Sequence, residues 1–190
     1  MSGSALGSKI ACGNPSGGRN TSDFYPTPPE VTMALLDFLG LPKDTVIWEP
    51  ACGEGHMAKE MERQGYSVYA TDIAQGVDFL TTDLSTNAYD WIITNPPFSN
   101  AEEFIRRCYE LEKPFALLLK AQFWHAKKRM NLFWECRPWY VCPLTWRPDF
   151  MFGRTGGKPL MDVIWCIWLP CHRGHTAYYP LGKPEKEDLT

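Results

Sequence analysis

The 190-residue chain has no uninterrupted apolar run of 18 residues, although 44% of its residues are hydrophobic. Because a membrane-spanning helix or a secretory signal needs a long apolar stretch, we expect neither, and no membrane partner. The chain also has no internal repeat. A sequence of this length and hydrophobic content predicts one domain that buries a sizeable core.

The seven cysteines show no disulfide or metal-binding spacing, since they are scattered and odd in number. Such usage is typical of a reducing compartment, so we expect a cytoplasmic protein without a disulfide framework. Cys166, Cys171, His172 and His175 form a loose group whose spacing fits no standard zinc site. We therefore expect no metal.

The net charge of −3 offers little attraction for a polyanion, but the charges are unevenly distributed. Residues 1–100 carry 5 basic and 12 acidic side chains, whereas residues 101–190 carry 14 basic and 10 acidic ones. This polarity fits a basic nucleic-acid face in the second half of the chain. Solvated helix faces would give much the same counts, so both interpretations stay open.

The most informative segment begins where a predicted buried strand over 91–94 ends, at Asn95-Pro96-Pro97-Phe98. Two consecutive prolines fix φ and remove two backbone donors, so nearby carbonyls are left free to accept hydrogen bonds. Asn95 adds a side-chain acceptor, and Phe98 offers a ring on which a planar base can stack. Together these groups suit the exocyclic amine of a nucleobase, although a plain Asn-Pro turn that caps a strand has the same pattern.

A glycine turn follows an earlier predicted strand over 46–49. Gly53 and Gly55 let the backbone approach a ligand more closely than a residue with a Cβ would allow. A helical pattern and a second strand over 67–70 then lead to Asp72, 17 residues beyond Gly55. Nucleoside-binding βαβ units place a ribose-binding carboxylate at a similar distance, but the third glycine of the dinucleotide fingerprint is missing here.

In their order and spacing, these segments resemble motifs of the adenine-N6 DNA methyltransferases, in the short single-domain form encoded by bacteriophages and prophages. The NPPF stretch over 95–98 resembles their catalytic motif. The resemblance implies that Asn95 and the carbonyl of Pro96 hold the target amine and that Phe98 stacks on the base. The segment from Glu49 to Gly55 resembles motif I of S-adenosylmethionine-dependent methyltransferases, in which Glu49 would accept from the ammonium of the cofactor.

Two smaller segments extend the resemblance. Tyr25-Pro26-Thr27 resembles the part of these enzymes that surrounds the methionine end of the cofactor, although Thr27 would equally suit the N-cap of a predicted helix over 29–39. Further along, Asp78 would accept from the cofactor adenine and Phe79 would pack on its ring; otherwise Asp78 is a solvated turn residue. The cofactor-binding residues implied are Tyr25, Pro26, Thr27, Glu49, Ala51, Gly53, Gly55, Asp72, Asp78 and Phe79.

Strands are predicted at 46–49, 67–70, 91–94, 115–119, 139–142 and 163–169, with a short one near 77–80. The first five alternate with helical stretches, which is typical of a doubly wound α/β sheet. The last strand is predicted to form a hairpin with 139–142. The resemblance implies a Rossmann-like class I methyltransferase fold of about seven strands, mostly parallel with one antiparallel edge strand. We expect a flexible arm over 1–21, a catalytic domain over 22–182 and a frayed tail over 183–190.

The resemblance implies methyl transfer from S-adenosylmethionine to N6 of an adenine flipped out of double-stranded DNA, in the cytoplasm of a bacterial host cell. No separate recognition domain fits in the sequence, so we expect sequence choice to come from 121–162. Alternatively, the specificity is short or loose, or a second subunit supplies it. The expected DNA contacts are Lys127, Lys128, Arg129, Trp146, Arg154 and Lys158.

Other functions use the same motif. The acceptor could be adenine in RNA, cytosine N4 or a protein glutamine side chain. A different class is a cofactor-binding module that protects DNA without catalysis, but the intact Asn95, Gly53 and Gly55 argue against it.

Overall fold

The structure is a computed structural model that describes residues 25–150, 161–170 and 174–185. Within these residues, seven strands form one sheet: β1 Val46–Glu49, β2 Ser67–Ala70, β3 Trp91–Thr94, β4 Phe115–Lys120, β5 Tyr140–Pro143, β6 Val163–Trp168 and β7 Ala177–Tyr178. The α-helices of the described part are α1 Pro29–Leu39, α2 His56–Arg63, α3 Ala101–Glu110 and α4 Met130–Glu135. None of these helices is long and apolar enough to cross a membrane.

The strand order is β2-β1-β3-β4-β6-β5-β7. Strands β1 to β4 are parallel, β6 is antiparallel to both of its neighbours, and β7 pairs in parallel with β5. The predicted α/β class, the mostly parallel sheet and the β5–β6 hairpin are thus confirmed. The antiparallel strand is not at the edge, however. All six residues of β6 are buried, so this apolar strand needs neighbours on both sides, and β5 and β7 lie outside it.

The short strand predicted near 77–80 does not form. Asp78 makes a turn there instead: its Oδ1 accepts a 3.0 Å hydrogen bond from the Leu80 amide, and its carbonyl accepts from the amides of Thr81 and Thr82. Aspartate competes for backbone donors in this way, which favours a turn over a strand. The described part of the predicted tail, 183–185, lies beside α1, where Lys183 Nζ is 3.9 Å from a carboxylate oxygen of Glu30.

Helices cover both faces of the sheet because neighbouring strand residues point in opposite directions. Ile47 of β1 lies in one apolar cluster with Leu35 of α1 and Met61 of α2. The next residue, Trp48, lies in the opposite cluster with Ile105 of α3. This alternation makes the sheet doubly wound and leaves the carboxyl ends of the parallel strands to form a ligand site.

Helix α1 has the predicted bounds, but its N-cap is Pro28 and Pro29 occupies the first helical position. Thr27 is therefore not the cap of this helix and has another role. Helix α2 begins directly after Gly55, whose φ of 76° lies in the left-handed region that favours glycine. Its first turn thus follows the glycine turn that leaves β1.

Candidate active site

The glycine turn and the NPPF stretch lie side by side, because β1 and β3 are neighbours and both end at the same edge of the sheet. They surround a cavity of about 350 Å³, here called the first cavity. Its lining consists of Tyr25, Pro26, Thr27, Glu49, Ala51, Cys52, Gly53, His56, Met57, Asp72, Ile73, Asn95 and Pro97. The volume falls within the range of small-molecule and cofactor sites.

Most of the predicted cofactor residues line this cavity, and they come from three separate segments: Tyr25-Pro26-Thr27, the turn from Glu49 to Gly53, and Asp72. Gly55 is not among the lining residues; it is the N-cap of α2, between the lining residues Gly53 and His56 in the chain. The strand order explains this convergence. β1 lies between β2 and β3, and the carboxyl ends of these three parallel strands meet at one edge of the sheet.

Asp72 holds the glycine turn in place. Its Oδ2 accepts a 2.8 Å hydrogen bond from the Gly53 amide, and its Oδ1 accepts one of the same length from the Ala74 amide. Gly53 has a φ of 53°, again in the left-handed region. Each carboxylate oxygen keeps a second lone pair, so Asp72 can bind hydroxyl groups in the cavity while it supports the turn.

Glu49 is a buried acid in the wall of the cavity. It is only 2% exposed, and no described residue donates a hydrogen bond to its Oε2. Burial raises the pKa of Glu49 from the ordinary 4.5 to about 8; a hydrogen bond from the Ala58 backbone opposes this shift, and the charge of Asp72 adds to it. A cation placed beside Oε2 would favour the carboxylate form and satisfy the unpaired oxygen.

The side-chain amide of Asn95 has a determined orientation. Its Nδ2 donates to the backbone carbonyl of Tyr25 at 3.1 Å and to Oγ1 of Thr27 at 3.0 Å. A carbonyl can only accept, so the nitrogen must face Tyr25 and Oδ1 must lie on the other side of the amide. That oxygen is buried and has no hydrogen-bond partner among the described residues. This oxygen can therefore accept a hydrogen bond from a ligand.

Phe98 lies on the wall of a second cavity of about 250 Å³, here called the second cavity. Its ring centroid is 5.5 Å from that of Tyr25, and Nζ of Lys120 is 4.4 Å from the Phe98 centroid. The second cavity is lined by Phe98, Ala101, Leu119, Lys120, Gln122, Phe123 and Arg129. Because Asn95 and Pro97 line the first cavity, the NPPF stretch lies between the two.

Asp78 and Phe79 do not line the first cavity. Phe79 is only 2% exposed, and its ring packs 5.1 Å from Trp48 and 4.8 Å from Phe104, centroid to centroid. The structure therefore places it in the core. Ile73 is instead one of the apolar side chains that line the first cavity, and it is 69% exposed.

The sequence interpretation missed several lining residues, namely Cys52, His56, Met57 and Ile73 of the first cavity and Ala101, Leu119, Lys120, Gln122 and Phe123 of the second. A usable signal existed for two of them. Ile73 directly follows Asp72, and Lys120 ends the buried strand β4, so both positions lie at carboxyl ends of strands.

The predicted DNA-contacting residues divide into three groups. Lys127 and Lys128 are exposed in a short 3-10 turn before α4. Arg129 is half-buried: its Nη1 donates to the Phe123 carbonyl at 3.1 Å, and its guanidinium lies 4.2 Å from the centre of the Phe123 ring. Trp146 is also half-buried and packs against the core. The other two, Arg154 and Lys158, lie outside the described residues.

No protein-family model and no curated protein sequence matches the chain. Solved structures do share its fold. A protein described as a modification subunit of a type I restriction enzyme from Vibrio vulnificus superposes with a TM-score of 0.59 at 14% identity, over 88% of this chain and 49% of that one. The methyltransferase subunit of a type I restriction-modification system from Streptococcus thermophilus superposes with a TM-score of 0.58 at 16% identity, over 84% of this chain and 47% of that one.

A third similar structure is described as a class I S-adenosylmethionine-dependent methyltransferase from Listeria monocytogenes. It superposes with a TM-score of 0.59 at 13% identity, over 90% of this chain and 68% of that one. The chain spans about half the length of the two restriction-modification proteins. Together with the seven-stranded mixed sheet, these similarities show that the fold is that of the class I methyltransferases.

Proposed function

We propose that the protein transfers a methyl group from S-adenosylmethionine to the N6 amine of adenine in DNA. The observation that carries this proposal is the orientation of Asn95. Its Oδ1 is a buried acceptor without a partner among the described residues, beside a cavity lined by a glycine turn and two carboxylates. The comparison with the restriction-modification subunits supports the fold and suggests DNA as the acceptor.

The first cavity offers suitable partners for the ammonium, the ribose and the adenine of S-adenosylmethionine. Oε2 of Glu49 accepts no hydrogen bond from any residue that the structure describes, which suits the ammonium of the methionine end. The remaining lone pairs of Asp72 suit the two ribose hydroxyls, and the exposed Ile73 offers apolar cover for the adenine. When bound, the cofactor supplies an electrophilic methyl group on its sulfonium.

The acceptor base is proposed to bind from the second cavity and to stack on Phe98. Asn95 Oδ1 and the carbonyl of Pro96 would then accept the two hydrogens of the amine and keep its lone pair out of conjugation with the ring. The nitrogen becomes acidic once it carries the methyl group, so its proton can pass to solvent without a general base. Catalysis of this kind is mostly positioning, worth roughly 7–11 kcal/mol in well-aligned systems.

DNA binding requires a local basic surface because the whole chain is net negative. Lys120 and Arg129 line the second cavity. Lys127 and Lys128 directly precede Arg129 in the chain and are exposed. We propose that the exposed pair contacts the duplex backbone and that the target adenine flips towards Phe98, since an amine paired within a duplex is not free to donate to the buried Oδ1 of Asn95. Sequence choice is proposed to come from 121–162 or from a second subunit.

The test is incubation of the protein with radiolabelled S-adenosylmethionine and, separately, duplex DNA, RNA and protein acceptors. We expect label in DNA, and nuclease digestion with mass spectrometry should identify N6-methyladenine. Asn95→Ala should abolish transfer while it retains cofactor binding, whereas Asn87→Ala, which removes an exposed amide from a remote turn, should have no effect. Label confined to RNA or protein, or N4-methylcytosine as the product, would contradict the proposal.

A further inference from the structure

Thr27 contacts the proposed catalytic asparagine directly. Its hydroxyl oxygen accepts a 3.0 Å hydrogen bond from Asn95 Nδ2, although the two residues are 68 positions apart in the chain. Thr27 is only 3% exposed and does not cap α1. The second hydrogen of the same amide goes to the Tyr25 carbonyl at 3.1 Å. Both donors of Asn95 are therefore held by one segment, Tyr25-Pro26-Thr27.

These two bonds decide where the Asn95 oxygen lies. The terminal torsion of asparagine has a broad energy profile, so the side chain by itself does not select one orientation. If Thr27 offered no acceptor, one buried N–H would lose its partner, and the amide would gain from rotating towards another acceptor. Rotation of the amide would move Oδ1 away from the position in which it is available to an incoming amine.

We propose that Thr27 is a positioning residue for methyl transfer: it acts through Asn95, and holds the amide oxygen towards the acceptor amine. This inference rests on the proposed function. It differs from the role that the sequence resemblance implies, in which Thr27 binds the cofactor. The two roles have different kinetic consequences, because a cofactor contact changes cofactor affinity, whereas positioning of Asn95 changes the rate of the chemical step.

The experiment compares Thr27→Val, which keeps the size but removes the acceptor, with Thr27→Ser, which keeps the hydroxyl. We expect Thr27→Val to lower kcat by roughly 10- to 100-fold, the scale of one lost buried hydrogen bond with an unsatisfied donor, and to leave the Kd of S-adenosylmethionine nearly unchanged. Thr27→Ser should restore most of kcat. Thr32→Val is the matched control, since Thr32 is a fully buried threonine whose hydroxyl oxygen has no hydrogen-bond partner among the described residues.

A second readout does not depend on activity. In a 15N-labelled sample, the side-chain NH2 of Asn95 should show two distinct hydrogens protected from exchange, and Thr27→Val should remove the protection of one of them. Weaker cofactor binding with unchanged kcat, or Asn95 amide signals that do not change in Thr27→Val, would overturn the positioning role. If the wild-type protein methylates no acceptor at all, the proposed function fails and the positioning role in methyl transfer fails with it; the amide signals then test only whether Thr27 orients the Asn95 amide.

Discussion

The carboxylate of Asp72 fastens the glycine turn of the first cavity through a 2.8 Å hydrogen bond from the Gly53 amide to Oδ2, across 19 positions of the chain. Asp72 therefore serves the turn and, in the proposed function, the ribose. We expect Asp72→Ala to weaken S-adenosylmethionine binding by roughly 1.5–3 kcal/mol, the scale of charged hydrogen bonds, and to destabilise the fold as well. Calorimetric titration and denaturant unfolding measure the two effects.

Asp44→Ala is a suitable control for that experiment, because Asp44 is exposed and precedes β1 at the opposite end of the strand. It should change neither affinity nor stability. Unchanged cofactor affinity in Asp72→Ala would mean that the cofactor does not bind in the first cavity.

The buried Glu49 should make cofactor binding depend on pH. Its pKa of about 8 means that the carboxyl is mostly protonated at pH 7, and a bound ammonium would lower that pKa and release the proton. The affinity for S-adenosylmethionine should therefore rise between pH 5.5 and 7.5, by up to about tenfold per pH unit. Calorimetry at pH 7 in buffers of different ionisation enthalpy should show proton release. In Glu49→Gln, both the pH dependence of affinity and the proton release should disappear. Binding of 5′-methylthioadenosine, which lacks the ammonium, to the wild type should show neither of these two effects.

The stability of the ligand-free protein should change with pH in the opposite sense. Because the folded-state pKa of Glu49 lies above the ordinary 4.5, protonation of Glu49 favours the folded state. This contribution is complete below pH 4.5 and is lost as the pH rises towards 8. Denaturant unfolding of wild type and Glu49→Gln across this range should give curves that diverge with pH. Parallel curves would mean that Glu49 titrates normally.

Ile73 and Phe79 should have separate effects. Ile73→Ser removes an exposed apolar side chain from the proposed adenine site, so cofactor affinity should fall by about 1–2 kcal/mol while the free energy of unfolding changes little. Phe79→Leu removes packing from the core, so stability should fall by about 1–3 kcal/mol and affinity should be retained. If Phe79→Leu loses cofactor affinity at unchanged stability, the resemblance-based role of Phe79 is correct instead.

Phe98 should act on the acceptor and not on the cofactor. Phe98→Ala should lose stacking worth roughly 1–3 kcal/mol, which is about a 5- to 150-fold loss in kcat/KM for DNA. Phe98→Trp should recover much of this loss because it restores a stacking face. Steady-state rates with saturating cofactor measure the effect. If Trp is as poor as Ala, the ring acts through its packing on Tyr25.

The basic surface can be tested through its salt dependence. Lys127→Gln/Lys128→Gln should lower DNA affinity and reduce the slope of log K against log salt by about 0.9 for each lost phosphate contact. Arg129 is left in place because its guanidinium packs on Phe123. The control is Lys43→Gln/Lys113→Gln, since these lysines precede β1 and β4 at the far edge of the sheet. An unchanged slope in the Lys127/Lys128 variant would place the DNA surface elsewhere.

Local sequence was sufficient to predict most elements and to place the glycine turn and the NPPF stretch at strand ends. Three strands and the helix over 29–39 have the predicted bounds, because apolar runs and flanking turn residues are read within a few positions. The glycine turn and the NPPF stretch could be placed at strand ends for the same reason. Their meeting at one edge follows from the parallel βαβ arrangement that the alternating pattern predicts.

Tertiary structure decided what depends on distant partners. The pairing of Thr27 with Asn95 spans 68 positions, and no local periodicity encodes which buried acceptor an amide will meet. Phe79 and Ile73 are both apolar residues that follow β2, and only the packing of Trp48 and Phe104 determines which of them enters the core. The interior place of β6 likewise follows from pairing with β4 and β5, since a fully apolar strand needs burial but does not specify its neighbours.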